Sequence, residues 1–339
     1  MAGSISLLSF LVFPMNSLFS AFWFLMATCV CAASAVGQVP EIQDGSDQDT
    51  TNQDKPAAEE EQVDKIPPAE EIEIKTKDNV RLQCTFFPGT KGKQTIPVIL
   101  LHDWGGSRAD MLEQAKILQS DLGCAVIAPD LRGHGESLKV EGMTSELDRD
   151  RWKPAEIATI VNDIEACKVF LFKYNNEGKL NIDWLTIVAE GVTCIHAVNW
   201  TVNDWAYPAV GGVKYGQDVK TLVLIHPEEA YRSLNMVKSL REPVIAGPDE
   251  QALGILILGN ADKGQKSLRT VEKIHNNLLR RREPPEDERK RHLRYFEFVT
   301  LRQKRMIKSE LALEKVVRSF IEFESERYVD SHPWQDRSR

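Results

Sequence analysis

The chain reads as an α/β domain with a mostly parallel, doubly wound sheet and helices on both faces. Three observations carry this reading. Short runs that are apolar at every position recur along the sequence, as strands covered on both faces require. Between them lie segments whose apolar residues recur at helical spacing. Two β-type segments around a short turn come before the first such run, so an antiparallel hairpin leads into the sheet.

In order, Ile72 to Lys75 and Val80 to Phe87 form the hairpin, and Ile96 to Leu101 is the first buried strand. A helix follows, with Met111, Ala115, Leu118 and Leu122 on one face and Gly123 as its stop. Cys124 to Ala128 is the next buried strand. Ile157, Ile160, Val161, Ile164 and Leu171 then mark one face of a second helix. Trp184 to Val188 is a strand running into a helix that reaches Trp205. Thr221 to Ile225 and Leu253 to Leu258 are further strands, and the roughly 26 residues between them leave room for a minimal lid at most. Ser267 to Arg281 is helical, Tyr295 to Leu301 is the last strand, and Leu313, Val316, Val317, Phe320 and Ile321 define a closing helix. The folded domain is expected over 72–326, with a polar, frayed tail over 327–339.

Residues 1–37 contain no Asp, Glu, Lys or Arg, and Ile5 to Val36 is almost continuously apolar. The small residues Ala32 to Gly37 suit a signal peptide cleaved after Ala35 or Gly37, with Met15 as an alternative start. An uncleaved membrane anchor is the other reading, since the run is long enough to span a bilayer. Residues 38–71 carry eleven acids against Lys55 and Lys65, a net charge of −9. Such a segment has too little apolar surface to offset its chain entropy and is expected to be a disordered linker. The whole chain is at −8, so the remainder is close to +1, and its acidity implies nothing about a substrate. The expected location is secreted, periplasmic or in the cell envelope, with membrane contact only through the N-terminal segment. Cys84, Cys124, Cys167 and Cys194 fall in apolar patterns and read as buried free thiols. No spacing suggests a metal, and no cofactor is expected.

Two segments carry a resemblance. Asp130-Leu131-Arg132-Gly133-His134-Gly135-Glu136-Ser137 and Leu100-Leu101-His102-Asp103-Trp104-Gly105-Gly106-Ser107 resemble the D-x-R-G-x-G-x-S and H-G-x-G-G motifs of the α/β-hydrolase superfamily, in its esterase, lysophospholipase and dienelactone-hydrolase-like branches. The resemblance spans roughly Ile72 to Glu324. Asp103 stands where that family usually has glycine. The resemblance implies an oxyanion hole from backbone N–H groups, here those of Trp104 and Val192. It also implies a serine at the apex of a strand–turn–helix elbow, G-x-S-x-G. Aligned on the preceding strand, Ala189, Gly191 and Thr193 take the three defined positions, so the nucleophile position is vacant at Gly191.

Glu190 and Cys194 are alternative nucleophiles by proximity, the thiol being at a helix start. Asp262, in Gly259-Asn260-Ala261-Asp262, takes the acid position. The segment after the last strand, Leu301 to Met306, has no histidine to act as base. His292 precedes that strand and His332 lies in the tail, which leaves His226 as the alternative base. Nucleophile and base are therefore both missing, and deprotonation of an attacking group has no standard agent. The expected protein is a degenerate hydrolase with a binding or structural role toward an unknown small molecule or protein. The alternative is a carboxylic-ester hydrolase with a non-standard nucleophile and base. A basic run, Arg280-Arg281-Arg282 and Arg289-Lys290-Arg291, is broken by acids and reads as a solvated helix end, with no nucleic acid expected.

Overall fold

The expected hairpin consists of β1 (Glu70–Lys75) and β2 (Val80–Phe87), antiparallel with Ile72 opposite Cys84. Asn79 makes the turn in the left-handed region, φ 64°, a conformation asparagine tolerates. Glu70 and Glu71, counted with the linker on charge, already pair with Phe86 and Thr85. This computed structural model describes residues 66–207, 214–301, 304–307 and 311–338, all within the unit Glu61–Arg339. The expected signal or anchor and the linker up to residue 65 lie outside the described residues. No helix among the described residues is long and apolar enough to cross a membrane.

Beyond the hairpin come β3 (Pro97–Leu101), β4 (Ala125–Pro129), β5 (Leu185–Glu190), β6 (Val219–Ile225), β7 (Gly254–Asn260), β8 (Leu293–Leu301) and β9 (Lys304–Ile307). Their order across the sheet is β1-β2-β4-β3-β5-β6-β7-β8-β9. All neighbours from β4 to β8 are parallel, and the pairs β1–β2, β2–β4 and β8–β9 are antiparallel. The main helices are α1 (Leu112–Leu122), α2 (Val161–Asn176), α3 (Thr193–Trp205), α4 (Gln265–Arg282) and α5 (Leu313–Glu326). A short helix, Pro154–Ala158, precedes α2, so the helix expected from Ile157 onward is broken at Thr159 and Ile160.

Alternation along each strand divides the core in two. Ile99, Leu101, Ile187, Ala189, Leu222 and Leu224 face α2, α3 and α4. Val98, Leu100, Val188, Val223 and Ile225 face α1 and α5. Both faces being covered is why the strands are apolar at every position. The lid is small, as expected: a hairpin of Ala230–Tyr231 with Leu234–Asn235, then a turn of helix at Pro243–Ala246. The four described cysteines are free and buried.

Two expectations need correction. Tyr295 to Leu301 was expected to be the last strand, but β9 follows β8 and pairs with it antiparallel as an added edge strand. The C-terminal tail is bound to the domain, not frayed. Trp334 Nε1 donates to the Asn175 carbonyl at 3.0 Å, and the His332 carbonyl accepts from Trp184 Nε1 and Asn181 Nδ2, both at 3.0 Å. Arg337 enters a buried ionic cluster with Asp183 and Asp218, joined by Lys168 and Asp204. Polar composition suggested fraying. In fact these side chains and carbonyls satisfy buried groups at the amino ends of β5 and β6.

Candidate functional site

At the centre of the sheet β5 ends and Gly191 turns the chain into α3 with φ +59°, a backbone that side-chain-bearing residues adopt only with strain. The turn is held by Gly191 N–H donating to the Ile225 carbonyl at 2.9 Å. Thr193, at the position of the motif's second glycine, is fully buried and donates its hydroxyl to the Glu190 carbonyl at 2.9 Å. Its bulk therefore sits inside the turn without displacing it.

The space above Gly191 is occupied from the opposite loop. Asp103 Oδ1 accepts the Trp104 N–H at 2.7 Å and the Val192 N–H at 2.9 Å. These are the two donors that the resemblance assigns to the oxyanion hole. A Cβ built on Gly191 would collide with all three atoms of the Asp103 carboxyl group. The residue without a side chain and the residue with an unexpected one are thus complementary, and the Asp103 carboxyl group fills the space over the apex. Hydrogen bonds to a charged acceptor are worth about 1.5–3 kcal/mol each. A neutral ester carbonyl would have to displace two of them.

The loop around Asp103 is set by His102, whose ring is fully buried. Its Nδ1–H donates to the Asp103 carbonyl at 2.8 Å and its Nε2 accepts the Leu131 N–H at 3.1 Å. Burial holds this imidazole below its usual pKa. Trp104 forms an aromatic cluster with His134, Trp152 and Tyr231, ring centroids 5.1, 6.2 and 5.4 Å away. Tyr231 belongs to the lid hairpin, so the lid covers the Trp104 side. A cleft of about 660 Å³ borders Asp103 and Glu190, walled by residues such as Asp110, Ile117, Met306 and Glu314.

Glu190 is at the end of β5, bound to Arg305 Nη1 at 2.9 Å. Burial pushes its carboxyl up, against the pull of Arg305 and with further push from Asp103 and Asp110. Cys194 is fully buried, its thiol donating to the Ala189 carbonyl at 3.2 Å, and desolvation raises its pKa well above that of an ordinary thiol. As an alternative nucleophile it is corrected: the thiol points into the core and stays protonated.

His226, the alternative base, is also corrected. Its Nδ1 accepts the Asn260 N–H at 3.0 Å and its Nε2 faces Ser267 Oγ at 2.9 Å, so both nitrogens are engaged in joining β6 to β7 and α4. Burial lowers its pKa, helped by Lys263. Asp262 lies beyond β7, where its Oδ2 accepts the Thr300 N–H at 2.6 Å. It fastens the end of β8 and meets no histidine among the described residues. The strand after β8 brings Arg305 toward the elbow, bridging Glu190 and Glu314.

The Asp130 to Ser137 segment is scaffolding. Asp130 accepts the N–H groups of Arg108 at 2.7 Å and Glu136 at 3.0 Å, and Ser137 Oγ links its carbonyl to the Gln83 N–H. Arg132 binds Asp163 and Asp78 through its guanidinium. His134 is buried, with Nδ1 on the Arg132 carbonyl at 2.9 Å and a pKa pushed down to about 4 by desolvation. No group of three or more His, Cys, Asp or Glu among the described residues is arranged to hold a metal ion.

Sequence reasoning noted Asp103 only as a departure from glycine and missed its role. The signal was present in two complementary exceptions, a charge where a glycine was due and a glycine where a side chain was due. Arg305 and Tyr231 were missed because nothing local marks them.

No protein-family model and no curated protein matches the chain. Among solved structures it is similar to dienelactone hydrolase from Anabaena variabilis, at 13% identity over 80% of this chain and 100% of that one, with a TM-score of 0.45. It is also similar to Thermogutta terrifontis esterase 2 phosphoramylated by tabun, at 15% identity over 78% and 96%, with a TM-score of 0.48. A complex of DcsB with its substrate analogue is similar at 16% identity and a TM-score of 0.36, and there this chain covers 47% of the other's length.

Proposed function

We propose that this chain, which has the α/β-hydrolase fold, does not hydrolyse esters and serves in binding or structure. The observation that carries the reading is the Asp103 carboxylate, held by the Trp104 and Val192 N–H groups over a side-chain-free apex at Gly191. Acyl transfer needs a nucleophile, a base to deprotonate it and donors free to receive the oxyanion. Here the apex offers no attacking atom, the donors are taken, and the imidazoles of His102 and His226 are committed to structural bonds. The uncharged N-terminal 37 residues support export or anchoring in the envelope, with the acidic segment as a spacer. N-terminal sequencing of the mature protein tests this part, and an intact Met1 would exclude cleavage.

The rival reading is an active carboxylic-ester hydrolase with Glu190 as nucleophile. Hydrolysis of p-nitrophenyl acetate and labelling by a fluorophosphonate probe separate the two. We expect no turnover above a denatured control and no labelling. Turnover that disappears in Glu190→Gln or Cys194→Ala would overturn the proposed function. Gly191→Ser alone is expected to stay inert toward esters, because it supplies a hydroxyl with no base.

A further inference from the structure

The basic run that ends α4 divides into two kinds of residue. Arg282 is fully buried, donating to the carbonyls of Ile245 at 2.8 Å and Leu253 at 2.7 Å and pairing with Asp249. Arg280 turns back onto the Asn276 carbonyl of its own helix, and Arg291 and Arg294 bind carbonyls of their own loop. These are structural. Arg281 is exposed, and its guanidinium has no hydrogen-bond or ion-pair partner among the described residues.

Arg281 stands on the rim of a groove of about 330 Å³ between α4 and the segment after the lid hairpin. On the α4 side Lys273, Asn277 and Arg281 lie four residues apart and form one row, with Ile274 and Leu278 in the row beside it. The opposite wall is Val237, Leu240 and Arg241. Val237 is 36% exposed, and the Arg241 guanidinium, like that of Arg281, has no partner among the described residues. Three cations therefore meet one carboxylate, Glu229, which is 3.5 Å from Lys273. The floor is apolar and the rim is under-neutralised.

We propose that this groove docks an acidic, amphipathic peptide segment of a partner protein. A bulky apolar side chain of that segment rests on Val237 and Leu240, and its carboxylates meet Arg241 on one wall and the row of Lys273 and Arg281 on the other. The helical rise puts Lys273 and Arg281 about 12 Å apart, matching carboxylates two turns apart on a helix laid along the groove. Guanidinium groups suit carboxylates because they offer paired donors in one plane. The site is remote in sequence from the elbow, and its occupancy does not depend on whether the elbow is catalytic.

The test is fluorescence anisotropy of the full chain with a short fluorescein-labelled peptide in which Glu-Glu and Leu-Leu pairs alternate. We expect saturable binding that weakens at least about tenfold in Arg241→Glu and in Arg281→Glu. Lys116→Glu, on the exposed side of α1, should leave it unchanged, and circular dichroism checks that each variant folds. A peptide with serine for leucine should bind much more weakly. Absent saturable binding, an equal loss in Lys116→Glu, or equal binding of the serine peptide would each overturn the proposal. Capture by phosphatidylserine vesicles without peptide binding would also overturn it, in favour of a membrane surface.

Discussion

Asp103 and Gly191 form a volume exchange across the mouth of the sheet, and stability can read it independently of any activity. Gly191→Ser places a Cβ against the Asp103 carboxylate and a side chain at φ +59°. Overpacking of this kind costs roughly 1–3 kcal/mol. Asp103→Gly in the same molecule removes the obstacle, so the double variant should lose less than the two single losses together. A coupling of about 1–2 kcal/mol in a urea double-mutant cycle is the expected result. Strict additivity would mean that the carboxylate does not fill the space above the apex. The double variant is still expected to be inert, since Asp262 is engaged with Thr300 and no imidazole stands beside it. That much of the site was legible residue by residue. The role of Asp103 was not, because it depends on a hydrogen bond to Val192, which is 89 positions away.

Elements differ in how openly the sequence declares them. β3 to β7 were legible because two covered faces demand unbroken apolar runs, and Ile99, Val188, Leu222 and Ile257 are all fully buried. β9 was not, because Lys304–Ile307 is a short strand at the edge of the sheet, and charged residues are common on edges. The C-terminal strap was hidden for another reason. Much of its hold comes from the main-chain carbonyls of His332 and Gln335, which carry no sequence signal. Its charged side chain Arg337 is placed between Asp183 and Asp218. Removing one member of a buried ion pair typically costs 3–5 kcal/mol. Lys168 and Lys214 still offset two of the three carboxylates, so Arg337→Met is expected to cost roughly 3 kcal/mol, the lower end of that range. A midpoint of urea unfolding unchanged from the parent would show that the strap contributes nothing.

For the molecule as a whole, burial of bases sets the response to pH. His134 and His196 are both pushed down to about 4 from an unfolded value near 6.5. Between those values the unfolded chain binds more protons than the folded one, so stability falls as pH drops from 6.5 toward 4, by up to about 3 kcal/mol per histidine. Lys220, almost fully buried beside Trp205, is held down to about 7 by desolvation and by Lys214. Stability should therefore rise as pH goes from 7 toward 10.5, and Lys220→Met should flatten that rise. Thermal midpoints measured at intervals across both windows check each slope, and an unaltered alkaline slope in Lys220→Met would show that Lys220 is charged in the fold.

The cluster at the amino ends of β5 and β6 joins segments far apart in the sequence. Arg337 lies 154 positions after Asp183 and 119 after Asp218. A chain synthesised from its amino end thus presents these carboxylates, with Asp204, long before their guanidinium exists. Closing so long a loop costs little more than closing a shorter one, but it delays the contact. Lys168 and Lys214 pair with Asp218 from nearer in the sequence, so these contacts need no long loop to close, whereas that of Arg337 does.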